Sequence, residues 1–359
     1  MGTHCNENKL IGYMKVNHLD GFFIAKPENV RYISGYTGDD AFLLITASDN
    51  YFLTDPRYTQ QAALECPDYR IVNWRRPKQT IADALQQVVH EKQLHNIAFE
   101  ADTLSYRAYL DMQRKVKAES IATAGVIEAF RSIKSEEEIQ CASAACAIAS
   151  RAFNKLLPDI HVGLTEKELA SRLSHAMVMA GADTQPYGNI LISGKRTSLL
   201  HGIPSAKSIE YGDLVLLDFG CAYRGYLSDM TRTVVVGKAS AKVKEIYRTV
   251  DAMLKAGLAA MKAGAPAADI YRAVKQVVAP TEYASYAYTG IGHGVGLFVH
   301  EKPFISPFSE DVLQAGNVMT IEPGLYIPGW GGVRIEDQVL ITNDGYVDLV
   351  SAPKELIEL

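Results

Sequence analysis

Two acids, Asp218 and Asp229, flank a turn-prone patch, Tyr223-Arg224-Gly225, between the apolar run Leu214–Leu217 and the strand-like run Thr233–Val236. Strand, turn, strand reads as a β-hairpin. The midpoint of 218 and 229 falls in the turn, so the two carboxylates are expected opposite each other, about 5 Å apart at Cβ. Two ionised acids that close repel, and an acid at the end of a buried strand is costly to desolvate. A divalent cation between them removes both penalties. A second hairpin repeats the design. The run Met319–Tyr326 leads into Pro328-Gly329-Trp330-Gly331-Gly332 and returns as Val333–Asp337. The midpoint of Glu322 and Glu336 again falls in the turn, so these two acids face each other. Arg334, two residues from Glu336, shares its face of the strand. Between the hairpins stands His293, in the glycine-rich stretch Gly290-Ile291-Gly292-His293-Gly294-Val295-Gly296. Four carboxylates and one imidazole are too many ligands for one small ion. They suit two divalent ions about 3.5–4 Å apart that share bridging carboxylates.

Each member of this set is ordinary alone. A single Asp beside a turn is usually a turn-capping acid, and a single His is usually structural. Two acid pairs, each centred on a turn, together with a histidine among glycines carry the metal reading. Near such a site His201 (in His201-Gly202-Ile203-Pro204) and His300 (in Val299-His300-Glu301) become candidates for hydrogen bonds to substrate. The glycines do not make a nucleotide site: counting from Gly290 or Gly292, the sixth position is Val295 or Leu297 rather than glycine.

The elements that must position these residues fall into two blocks. Gly21–Ala25, Ala41–Thr46 and Tyr51–Thr54 read as strands, 79–90 as a helix with Thr80 as N-cap and Asp83 at N3, 97–99 as a strand and 103–118 as a helix. This predicts an α/β domain over 1–124, with residues 1–18 as an irregular leader. Residues 125–134 show no regular pattern and are expected as a linker. Capping boxes at Ser135/Glu138 and Thr165/Glu168 open two helices, the first ending at Pro158 and the second at Gly181. Further helices are expected over 240–261 and 268–278, with strand and turn over 187–236 and 286–350. Helices alternating in blocks with antiparallel strands predict an α+β domain over 135–359.

The chain has 359 residues, 48% hydrophobic and 21% charged, with a formal net charge of −5. No basic excess exists to neutralise phosphates, which argues against nucleic acid and against an anionic membrane surface. No apolar run reaches 18 residues, and no signal-peptide core is evident. Five scattered cysteines without a C-x-x-C pair read as free thiols, so a cytoplasmic location is expected.

The stretches LLHGIPS (199–205), GDLVLLDFG (212–220), YLSDMTRT (226–233), GIGHGVGLFVHEKP (290–303), MTIEPGLY (319–326) and GVRIED (332–337) resemble the pita-bread metallopeptidases, in their Xaa-Pro aminopeptidase and prolidase branch. ENVRYISGYTG (28–38), LTDPRYTQQA (53–62) and EAFRSIKSEEEI (128–139) extend the resemblance into a creatinase-like N-terminal domain. The resemblance implies a pita-bread catalytic domain in which Asp218 and Asp229 bind metal, His293 and Glu322 hold the other ion, and Asp229 and Glu336 bridge. It implies that His201 and His300 contact the substrate and the tetrahedral centre, that Glu322 shuttles a proton and that Arg334 organises the site. The implied reaction is attack by metal-activated hydroxide on the bond before proline, with two divalent ions. Oxygen-dominated ligation favours manganese, with cobalt or zinc as substitutes. A proline-containing peptide substrate and a homodimer are expected on the same basis. One departure bears on substrate. Prolidases of the family commonly carry an arginine just after the His-Glu-x-Pro run, to bind a dipeptide's carboxylate, and here that position is Phe304. This favours an aminopeptidase acting on Xaa-Pro-Yaa over an Xaa-Pro dipeptidase. A non-catalytic protein-binding homologue and a creatinase-like hydrolase are disfavoured by the intact set of five ligand positions.

Overall fold

The computed structural model describes residues 3–75, 79–185 and 188–359, with side chains from residue 6. The chain divides into two compact units, Met1–Arg131 and Ser132–Leu359. The first runs α1 (Thr3–Val16), β1 (Gly21–Ile24), α2 (Pro27–Ser34), β2 (Ala41–Thr46), β3 (Asn50–Thr54), α3 (Thr59–Glu65), β4 (Arg70–Asn73), α4 (Ile81–Lys92), β5 (Asn96–Glu100), α5 (Tyr106–Lys115), β6 (Glu119–Thr123) and α6 (Val126–Ser132). Its six strands form one mixed sheet in the order β4-β3-β2-β1-β5-β6. Every residue of β1 is buried, as a central strand requires when both faces of its sheet are covered. Helices α4 and α5 pack Leu85, Val88 and Met112 against Phe23, Leu44 and Phe99 on one of those faces. The reciprocal bonds between Thr80 and Asp83 cap α4.

Two segments differ from their expectation. The stretch read as an irregular leader contains α1. Its sequence is too polar to announce a helix, but Leu10 and Met14, one turn apart, are fully buried, and Tyr13 meets Phe22 edge-on. The stretch read as patternless contains α6. Ile127 and Arg131 are buried on one face, where Arg131 donates to Asn29 Oδ1 (2.7 Å) and Glu128 pairs with Lys26 (2.8 Å). In both segments tertiary contacts supply what local propensity lacks.

The second unit runs α7 (Glu136–Leu156), α8 (Glu166–Met179), β7 (Ile190–Ser193), β8 (Leu214–Phe219), β9 (Ala222–Tyr223), β10 (Tyr226–Leu227), β11 (Met230–Val235), α9 (Ala241–Ala260), α10 (Ala267–Val278), β12 (His293–Gly294), β13 (Glu301–Phe304), β14 (Val318–Ile321), β15 (Gly324–Ile327), β16 (Gly331–Arg334), β17 (Asp337–Ile341) and β18 (Tyr346–Asp348). Both expected capping boxes form, Ser135 with Glu138 and Thr165 with Glu168. The paired strands of this unit are antiparallel: β11-β8-β7 in one sheet, β13-β12-β14-β17-β18 in a second, and the short pairs β9–β10 and β15–β16. Helices α7 and α8 bury Phe153, Leu169 and Leu173 against Leu217 and Phe219. Helices α9 and α10 bury Val250, Leu254 and Val274 against Ile321 and Val339. Each sheet therefore has a helix-covered face, and the residues with chemistry lie off those apolar faces. Among the described residues no helix is long and apolar enough to cross a membrane.

Candidate metal centre

The first hairpin is built with a register other than the expected one. Arg224 and Gly225 both have positive φ (50° and 83°), as a two-residue type I′ turn needs, and Tyr223 pairs with Tyr226. The ladder therefore sets Thr231, not Asp229, opposite Asp218. Asp229 lies two residues further along on the same face, a diagonal neighbour of Asp218 rather than its direct partner. The second hairpin has the expected centre. Gly324 pairs with Arg334, Ile327 with Gly331 and Ile321 with Asp337, a register that carries Glu322 and Glu336 across from each other at the break between the ladders. A bridge between Thr231 and Glu336 joins the two hairpins.

His293 enters between β13 and β14, and its glycine neighbours let it do so. A Cβ on Gly292 would stand 2.4 Å from the Thr320 carbonyl oxygen, and one on Gly294 2.3 Å from that of Lys302. Such close approach admits only glycine. The imidazole Nδ1 donates to the Gly294 carbonyl (3.1 Å). The Nε2 lone pair is thereby turned to Asp229 Oδ2 (3.7 Å) and Glu322 Oε1 (3.5 Å). Ligand atoms of Asp229, His293 and Glu336 all lie within 4.8 Å of one another. Asp218 faces the guanidinium of Arg334, whose Nη2 donates to its Oδ2. Arg334 also donates to the Thr231 hydroxyl (3.0 Å) and the Tyr326 hydroxyl (2.7 Å), and the Thr231 hydroxyl in turn donates to Glu336 Oε2 (2.6 Å). Arg334 thus orients two of the acids, one directly and one through Thr231. His201 and His300 are both exposed, and the His300 ring meets that of His293 edge-on at 4.4 Å.

The electrostatics describe acids short of a counter-charge. Burial, then repulsion from Asp229, Glu322 and Asp218, pushes the Glu336 carboxyl well above the usual carboxylate range. Burial and Asp218 push Glu322 up to about 7, against the pull of Arg334. Burial and His300 push His293 down to about 4, so its imidazole is neutral at pH 7. A neutral imidazole, clustered carboxylates and a predominance of oxygen donors are what divalent metal ions require. The residues present fit that group.

In the metal-stripped protein Glu322 has a folded-state pKa above its ordinary 4.5, so its ionisation opposes folding. The penalty is absent below pH 4.5, grows as pH rises, and is complete above about 7. Glu322→Gln removes it. In chelator, the variant should match the parent at pH 4.5 and exceed it by at most about 3 kcal/mol at pH 7 and above. Thermal or urea melts across this range measure the difference, and a pH-independent gap would refute the assignment.

Some residues that build the site gave little sign in the sequence. Thr231 and Thr233 lie on the Asp229 face of β11, and Thr233 exchanges hydrogen bonds with the Arg334 main chain (2.9 and 3.2 Å). Gln338 accepts from the Asp229 amide (2.8 Å) and donates to the Leu227 carbonyl (3.2 Å). Arg232, on the opposite face, is fully buried. It donates to Asp337 Oδ1 (2.8 Å) and to the carbonyls of Thr231, Glu336, Ala352 and Pro353. A charged residue between two threonines at the head of the strand-like run Thr233–Val236 was the available signal for it.

The model of metallopeptidase family M24 matches residues 140–343, and that of the creatinase/prolidase N-terminal domain matches residues 8–133. The chain is 37% identical over 350 residues to an Xaa-Pro dipeptidase of Pyrococcus furiosus, covering 97% of this chain and 98% of that one. Among solved structures, an Xaa-Pro dipeptidase from Bacillus anthracis superposes with a TM-score of 0.94 at 37% identity, covering 99% of this chain and 100% of the other. An X-Pro aminopeptidase from Thermotoga maritima superposes with a TM-score of 0.89 at 31% identity, covering 98% and 99%.

Proposed function

Because the chain belongs to metallopeptidase family M24, we propose that it removes the N-terminal residue from peptides whose second residue is proline. On this reading Asp218, Asp229, His293, Glu322 and Glu336 hold two divalent ions, manganese by preference, since the donors are carboxylate oxygens with a single imidazole. Such ions lower the pKa of a bound water and polarise a carbonyl. The chain's own residues do the rest. The buried acids attract the substrate's free amine. About a fifth of the Glu322 side chain is exposed, against under a tenth for Asp229 and His293. Glu322 is therefore placed to take the proton released by the attacking water and return it to the proline nitrogen as the bond breaks. His201 and His300, both exposed, donate hydrogen bonds to the developing oxyanion. Arg334 keeps Asp218 and, through Thr231, Glu336 in place. A cytoplasmic enzyme acting as a homodimer belongs to the same reading. Its cysteines beyond the first are free thiols, three of them buried.

The observation that carries the choice of substrate is Phe304. It pairs with His293 across β12 and β13, so both side chains leave the same face of the sheet, and it is 40% exposed. A dipeptide's carboxylate would meet this ring instead of a guanidinium. Nearby Lys302 is engaged with Asp311 (3.3 Å), and Arg334 is buried among Asp218, Thr231 and Tyr326. A missing charge-assisted bond is worth about 1.5–3 kcal/mol, or roughly tenfold or more in specificity. The names of the Pyrococcus furiosus and Bacillus anthracis relatives favour the second reading, an Xaa-Pro dipeptidase. Catalytic efficiencies of the manganese-loaded enzyme on Ala-Pro and Ala-Pro-Phe decide between them. The tripeptide should be cut about tenfold faster or more, its N-acetyl derivative hardly at all, and Phe304→Arg should move the ratio towards the dipeptide by a similar factor. Equal efficiency on both peptides in the parent enzyme would establish the dipeptidase reading instead.

A further inference from the structure

Glu166, the first residue of α8, is a carboxylate with no exposed surface. The helix does not need it there, because Thr165 and Glu168 already satisfy the helix start reciprocally. A buried carboxylate costs several kcal/mol in lost hydration unless hydrogen bonds replace the water. Here they do, and all of these donors come from the segment that carries His201. Glu166 Oε1 accepts from the Ser193 amide (2.7 Å) and hydroxyl (3.1 Å). Oε2 accepts from the Ser205 amide (2.9 Å) and hydroxyl (2.7 Å). The Arg196 Nε donates to both oxygens (3.2 and 3.1 Å). Ser193 and Arg196 precede His201 and Ser205 follows it, so one carboxylate pins both ends of the excursion.

The excursion is tied along its length as well. Arg196 Nη2 donates to the Ile203 carbonyl (2.7 Å), closing the loop on itself. The Thr197 hydroxyl accepts from the Gly332 amide (2.7 Å), and the Leu200 carbonyl accepts from Arg334 Nη1 (3.4 Å). These two bonds fasten it to the strand that carries the metal-site arginine. Gly202 is pressed against Ile192, whose Cδ1 would be 2.8 Å from any added Cβ. Against this fixed background His201 itself is exposed. An exposed side chain has no packing of its own to hold it, so its position is that of its backbone.

We propose that Glu166 is a positioning residue for the hydrolysis: its buried carboxylate clamps residues 193–205 so that His201 is held towards the metal centre. This rests on the reading that His201 hydrogen-bonds the transition state. Displacement of a catalytic group by about 1 Å can cost a hundredfold in rate. Glu166→Gln keeps the shape but sets an amide among donors, so the clamp loosens.

The test is a double-mutant cycle of Glu166→Gln with His201→Ala, on manganese-loaded enzyme with Ala-Pro-Phe. Alone, Glu166→Gln should lower kcat about tenfold to a hundredfold with little change in KM and full metal content. In the His201→Ala background the same change should hardly alter kcat. Hydrogen exchange should quicken in residues 199–205 and not in α8. Equal losses in both backgrounds, metal loss in step with activity, or unchanged kcat overturns the proposal. If His201→Ala by itself leaves kcat intact, the role of His201 fails, and that result is read from the single variant, separately from the cycle. Should Glu166→Gln not fold, Ser205→Ala removes one hydroxyl donor, and Arg196→Met removes the guanidinium with its bond to the Ile203 carbonyl, while the carboxylate keeps the Ser193 donors and the Ser205 amide in both. The same dependence on His201 is expected of both, and its absence refutes the clamp.

Discussion

Glu336→Gln is expected to reduce turnover by at least about a thousandfold while leaving the fold intact. Glu336 is 1% exposed and held at three points: its Oε2 by the Thr231 hydroxyl, its amide by the Thr231 carbonyl (3.1 Å) and its carbonyl by Arg232 (2.6 Å). Glutamine has the same shape and keeps an oxygen for Thr231. It removes the charge that burial and three neighbouring acids make costly without metal. The stripped variant should therefore melt no lower than the stripped parent. The loss appears on loading. Electrostatic stabilisation by bound metal is worth several kcal/mol in the transition state, and about 4 kcal/mol is a thousandfold in rate. Manganese should raise the melting temperature of the parent much more than that of the variant, because a ligand stabilises only in proportion to its affinity for the folded state. Elemental analysis, melts with and without manganese, and tripeptide hydrolysis measure all three quantities. Full activity in the variant, or in stripped parent protein, would end the metal reading.

His300→Ala should lower kcat by about a hundredfold to a thousandfold, the usual cost of one oxyanion donor, with metal content unchanged. The side chain is exposed and reaches the centre edge-on to His293, and His293, not His300, turns a ring nitrogen to Asp229 and Glu322. Partial desolvation at the centre and the proximity of His201 push its pKa down, so at neutral pH it is an uncharged donor rather than a cation beside the metal ions. Loss of the ring contact costs stability by only about 0.5–1.5 kcal/mol, which leaves a folded protein to assay. If manganese is lost in proportion to activity, His300 is a ligand and the division between ligands and substrate contacts is wrong.

The candidate centre was legible in the sequence where local geometry governs it. A hairpin is centred on its turn, so the spacing of Glu322 and Glu336 about Gly329 was enough to place them across from each other, and the register agrees. Capping boxes at Ser135, Thr165 and Thr80 involve residues three apart, and all three form. The glycines beside His293 marked the histidine in the sequence, but only the fold showed why they are there: the carbonyls of Thr320 and Lys302 approach too closely for any Cβ. The first hairpin marks the boundary of such reasoning. A shift of the turn centre by one position, set by positive φ at Arg224 and Gly225, put Thr231 rather than Asp229 opposite Asp218. Alternation of side chains still left both acids on one face. Helices α1 and α6, the Arg232–Asp337 pair and the Glu166 clamp were decided by tertiary structure alone. Their partners are remote in the chain, as with Arg232 and Asp337, 105 residues apart. Whether a charged side chain is buried and satisfied depends on donors that no local pattern of its own segment contains.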